Sequence, residues 1–314
     1  MSTTTTCLAL IGLSLAILAG GCGPMPPQDP FHLAQAKDAL GRGNHWFQRG
    51  CPAEADRYFE LGLEQARLAD DVPLIVKSLN ARGAALMSQD DLDGAALVLE
   101  RALELSVSLD ARPELDSVLG NLGLLALRAG RADDAREMWG QAAQEATAKG
   151  LGPILYHCNL ARLEMAAGNA AWKEYAAQAL AEAAEPGAPE SAVADAYNLA
   201  AISALEDGDE GQAERFLDLA LELDRKNENQ RGLAQDLETL AGIQAKTGRP
   251  LLAAASLDRA FYLWAALRDR QAQARVLSSL ESLSGSSGHP KSTQGYREVL
   301  RKPGLFNPID RLCP

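Results

Sequence analysis

One spacing recurs six times along this chain: a small residue, a glycine or aspartate seven positions on, and then, in all but the fourth unit, small residues five and twelve positions further. The small first residues are Gly43, Gly83, Gly123, Ala161, Ala201 and Ala241, so the successive gaps are 40, 40, 38, 40 and 40 residues. A fixed period of about 20 to 50 residues is the mark of stacked helical units. Such units cannot bury their apolar flanks alone, and they build a long surface rather than one catalytic pocket.

Each unit reads as two helices. The mid-point residues Gly50, Asp90, Gly130, Gly168, Gly208 and Gly248 end the first, because Gly reaches the left-handed position at a helix C-terminus without strain and Asp tolerates it. In the second unit the spacing predicts helices over Leu74 to Ser88 and Leu92 to Leu109, with apolar residues recurring at three and four. Small residues such as Gly83, Ala95 and Ala102 let two backbones approach. Phe59, Leu99, Trp139, Leu217 and Leu257 occupy one position in five units and are expected to fill the layer between. The fourth unit fits worst, with Lys173 where Ala is expected and Ala177 at the large-residue position.

This arrangement of Leu122, Gly123, Ala126, Gly130, Ala135, Trp139 and Ala142, and again of Leu240, Ala241, Gly248, Ala253, Leu257 and Ala260, resembles the tetratricopeptide repeat over residues 36 to 270. The period exceeds the roughly 34 residues usual there. Pro73, Pro113, Pro153 and Pro189 correspond to the family's closing proline. The resemblance implies an all-α superhelical solenoid of about six hairpins. A seventh, degenerate unit follows, with a helix over Gln271 to Ser284, a short one over Ser292 to Arg301, and Gly288 forty residues after Gly248; it would cap the open apolar end. The expected organisation is therefore a leader over 1–21, a tether over 22–33, the solenoid over 34–270, a cap over 271–301 and an irregular tail over 302–314.

Residues 1–21 carry no charged side chain, and Leu8 to Ala19 is a mostly apolar run. It is too short to span a bilayer, which takes about 20 residues, and it suits a secretory leader. Ala19, Gly20 and Gly21 before Cys22 resemble the bacterial lipoprotein signal, although Leu18 sits one position early and Met1 to Thr6 lacks Lys or Arg. The resemblance implies acylation of Cys22 and a lipid-anchored, periplasm-facing location in the cell envelope, with Gly23 favouring the outer membrane. Gly23 to Pro30 contains four prolines and reads as an extended spacer.

The net charge of −12 falls wholly on the chain after the leader. No Lys/Arg cluster suits phosphates, so nucleic acid is not an expected partner. Cys51 and Cys158 lie three units apart, too far for the approach of about 7 Å that a disulfide needs; Cys158 reads as a small core residue, and Cys313 is left open between Cys51, a second chain and no bond. His32, His45, His157 and His289 are scattered, and no His-Glu-x-x-His, Cys-x-x-Cys or phosphate-cradling glycine motif occurs. Asp133, Asp134, Asp207, Asp209 and Glu210 read as turn charge and helix caps. No catalytic residue, metal or cofactor is expected.

In the family it resembles, the first helix of each unit lines the concave face. Carried over by position, the expected binding surface comprises Phe47, Lys77, Asn80, Met87, Leu124, Leu127, Arg162, Met165, Ile202 and Leu205, an apolar stripe with a polar rim. The expected function is a membrane-anchored scaffold for a protein or peptide partner; the alternative is a sensor that takes a small ligand or signalling peptide in the groove. The family's carboxylate clamp is not carried over, since only Asn44 matches while Leu40, Ala81, Ser117 and Asn121 replace its other residues.

Overall fold

The computed structural model describes residues 30–108, 112, 114–267, 269–287 and 297, with side chains to residue 283 and at Arg297. The expected leader, lipidation site and tail therefore lie outside the described residues, as do Pro113, Gly288 and all of the second cap helix but Arg297. Thirteen helices and no strand occur among the described residues: α1 (Phe31–Gln48), α2 (Pro52–Leu68), α3 (Val72–Ser88), α4 (Leu92–Val107), α5 (Leu115–Arg128), α6 (Ala132–Ala148), α7 (Ile154–Ala166), α8 (Trp172–Glu182), α9 (Glu190–Glu206), α10 (Glu210–Lys226), α11 (Gln230–Lys246), α12 (Pro250–Ala266) and α13 (Arg270–Ser287). The first helix begins at Phe31, ahead of the expected solenoid start at 34.

Helices pair as hairpins, α1 with α2 through α11 with α12, and α13 packs on α12. All six mid-unit residues, Asp90 included, adopt positive φ, between 67° and 84°. The chain can reverse there without leaving the last carbonyls of the first helix unpaired. Asp91 and Asp209 begin the next helices, accepting from Gly94 N and Gln212 N at 2.9 Å. Asp71 and Asn229 cap α3 and α11 in the same way. Pro73, Pro153 and Pro189 stand at the entry of the following unit's first helix, where a missing N–H costs nothing.

The layer between the helices is built as the small and large residues require. Phe59, Leu99, Trp139, Leu217 and Leu257 are all buried. A β-carbon placed on Gly43, Gly83 or Gly123 would come within 2.4 to 2.6 Å of Phe59, Leu99 or Trp139, so each large side chain lies directly on the backbone of the facing helix. Trp139 Nε1 also donates to Gly120 O at 2.9 Å. The fourth unit departs in phase: Trp172, Ala176 and Ala179 are the buried residues of α8, each one position before Lys173, Ala177 and Leu180, where the repeat spacing would place the buried side chains. Lys173 instead turns outward to Asp207 at 2.6 Å. The shift accompanies a longer turn after Gly168, where Trp172 N donates to Asn169 O and α8 begins four residues past the mid-unit glycine rather than two. At the far end, Val276, Leu277 and Leu280 of α13 cover Leu257, Phe261 and Trp264 of α12, the capping role expected for this segment.

Candidate functional site

First helices touch their counterparts one unit away, α1 with α3, α3 with α5, α7 with α9, and α9 with α11. Between α5 and α7 the link is Tyr156, whose hydroxyl donates to Asp116 Oδ2 at 3.3 Å. The first helices thus form the more closely packed, inner layer, and the face they turn away from the second helices is the candidate surface.

Along that face Leu124 and Leu127 of α5 are 41% and 39% exposed, and Leu155 at the start of α7 is exposed as well. Met165, Ile202 and Leu205 continue the run half-buried, the first two against the α7–α8–α9 core and Leu205 against the next. Phe47 is exposed at the near end, and Lys77 is exposed beside it in the repeat order. Two expected residues are corrected. Met87, at only 2% exposure, belongs to the core among α3, α4 and α5, because its side chain closes the seam where those helices meet. Asn80 is buried too, and its Oδ1 accepts from Asn121 Nδ2 at 2.8 Å. The stripe is therefore interrupted between Phe47 and Leu124.

Arg162 lies on the face but is engaged, donating to Asp195 Oδ1 at 2.7 Å. Glu238 accepts from Trp264 Nε1 at 2.7 Å and from Arg275 at 3.0 Å. Beneath the surface Asn198 donates to Asp236 and Thr239. Burial pushes the Asp236 carboxyl up to about 8 and that of Asp224 up to about 6. Asp236 and Thr239 are not marked by the repeat pattern, and Asn121 is marked there only as a replaced clamp residue. The available signal was the spacing of polar residues by about one repeat, Asn80 with Asn121 and Asn198 with Thr239.

Other titratable groups have structural partners. His157 Nδ1 lies 2.9 Å from Glu182 and His32 Nδ1 2.8 Å from Gln65, so neither addresses a nucleophile. Cys158 is buried and its thiol is pushed up by desolvation, the opposite of an activated cysteine. Cys51 is disulfide-bonded, and since Cys158 is free, its partner lies outside the described residues. Among the described residues no group of three or more His, Cys, Asp or Glu side chains is placed to hold a metal ion, and no helix is long and apolar enough to cross a membrane.

No protein-family profile matches the sequence, and no curated protein matches it. Among solved structures, the apo form of the quorum sensor NprR from B. thuringiensis is similar at 14% identity over 88% of this chain and 78% of that one, with a TM-score of 0.54. BtubC from P. vanneervenii is similar at 21% identity over 77% of this chain and 94% of that one, with a TM-score of 0.51. A tetratricopeptide repeat protein from Parabacteroides merdae aligns at 15% identity over 86% and 99% of the two chains, with a TM-score of 0.45. At these identities the likeness to NprR and BtubC is one of fold, an α-α superhelical solenoid.

Proposed function

We propose that this chain is a scaffold of the bacterial cell envelope, anchored by acyl groups on Cys22, which holds an extended or helical segment of a partner protein on its inner face. The observation that carries the binding surface is the open apolar run Leu124, Leu127 and Leu155, continued by Met165, Ile202 and Leu205. Apolar residues on successive parallel helices, with polar groups at their margins, suit a partner that supplies side chains at regular intervals. No catalytic residue is assigned.

Leu124→Asp combined with Leu127→Asp tests the surface. Both side chains are open, so the helical circular dichroism should stay as in the parent while crosslinked partner is lost from native membranes. Undiminished crosslinking would move the binding surface elsewhere. A small molecule or signalling peptide that raised the melting midpoint of the purified protein would favour the sensor function instead.

The anchor has its own test. Cys22→Ser should abolish the mass added by acyl chains and release the protein from membranes; unchanged mass and location would remove the anchor from the proposal. The disulfide at Cys51 supports an oxidising compartment, since cytosolic thiols are kept reduced. With Cys22 acylated and the leader removed, Cys313 is the cysteine left to pair with Cys51. Non-reducing peptide mapping should recover that pair, whereas a Cys22–Cys51 peptide would contradict acylation at Cys22.

A further inference from the structure

In the inner layer, between α9 and α11, two buried polar side chains meet. Asn198 Nδ2 donates to Asp236 Oδ1 at 2.8 Å and to Thr239 Oγ1 at 3.0 Å. Asn198 and Asp236 are each 1% exposed. Their other oxygens, Asn198 Oδ1 and Asp236 Oδ2, are buried and have no donor among the described residues. Leaving both unpaired would be costly, because a desolvated acceptor keeps the penalty of its lost water. The charged groups acting on Asp236 are Asp224 of α10, Asp195 of α9 and Arg162 of α7; no charged group of α12 is among them. The one cation of that set, Arg162, is already hydrogen-bonded to Asp195.

A single proton answers the whole deficit. Carboxyl and carboxamide groups are planar and of matching width, so one N–H···O contact sets the remaining two oxygens face to face when the planes align. We propose that Asp236 is a carboxylic acid in the folded protein at neutral pH, its Oδ2–H donating to Asn198 Oδ1 and closing an acid–amide ring that latches α9 to α11. The ring leaves no polar atom of the pair unmatched. It lies below the half of the inner face that carries Ile202 and Leu205, so the stiffness of that half depends on the proton.

The physical setting favours the neutral acid. Burial is the largest influence raising the Asp236 carboxyl to about 8, with repulsion from Asp224 and Asp195 adding to it and the bond from Asn198 and the charge of Arg162 opposing. The ordinary value is 3.8. Between those two values the folded state holds a proton that the unfolded state has released. The latch contributes fully below the ordinary value and is lost as pH rises toward the folded one.

The test compares the full chain with Asp236→Asn from pH 5 to pH 9. An amide at 236 can donate to Asn198 Oδ1 and accept from Nδ2, keeping the ring without a titrating group. The folding equilibrium of the parent should fall relative to the variant by up to tenfold per pH unit, levelling off near pH 8, so that the variant melts at or near the parent's temperature at pH 5 and above it at pH 9. A variant that melts lower than the parent by a constant amount across the range would overturn the latch, because Asp236 would then act as an anion throughout. Carbon-detected NMR of the Asp236 carboxyl in the parent decides the matter without mutation: a midpoint near 8 is expected, and one below 5 overturns the proposal.

Discussion

Trp139 lies against Gly123 so closely that a methyl group there would stand 2.6 Å from its Nε1. That contact explains why the first three units keep glycine at a position where Ala serves in the last three, for glycine in a helix interior costs roughly 1 kcal/mol against Ala. Gly123→Ala should lower the stability by about 1–3 kcal/mol through overpacking, despite its better helix propensity; chemical denaturation read by tryptophan fluorescence checks both the loss and the displaced indole. Asp90 provides the opposite case. It adopts φ 67° at the turn where five other units have glycine, so Asp90→Gly should raise the unfolding midpoint by up to about 1 kcal/mol equivalent. Both residues were legible in the sequence because their neighbours are repeated and local. Asp236 was not, since its burial and its partner Asn198 come from a helix 38 residues away.

At the scale of the helix, starts are fixed by short polar contacts and ends by the left-handed turn. Asp91 caps α4 through Gly94 N at 2.9 Å; Asp91→Ala should cost about 1 kcal/mol, visible as faster hydrogen exchange in the first turn of α4. The short α8 shows the reach of a pattern. Its poor match was visible in the sequence, yet its actual phase was set by the turn at Asn169, whose Oδ1 accepts from Ala171 N while its Nδ2 donates to Glu164 at 2.6 Å. Glu164 is itself buried and also accepts from Arg136 of α6. A cluster joining α6, α7 and the turn before α8 thus stands where the second helix of the unit is out of phase by one residue.

Across the whole molecule, each hairpin is sheltered by its neighbours, so stability should behave as a sum of unit and interface terms rather than as one cooperative block. Removing α13 and everything after it would expose Phe261, Trp264 and Leu257. The expected result is loss of hydrogen-exchange protection in α11 and α12 while α3 to α6 keep theirs; uniform loss along the chain would contradict the modular picture. What the sequence determined was the repeat itself: its period, the paired helices and the turns at the mid-unit residues, written out six times, and the small-on-large contacts, written out in five units, all of which arise from contacts inside one hairpin. What only the tertiary structure decided was the state of residues between hairpins. Met87 and Leu127 hold the same repeat position, yet Met87 is closed in the α3–α4–α5 seam and Leu127 is open. The difference lies in what the neighbouring units pack over the position, Met87 being covered by side chains of α4 and α5, and no spacing along the chain encodes that packing.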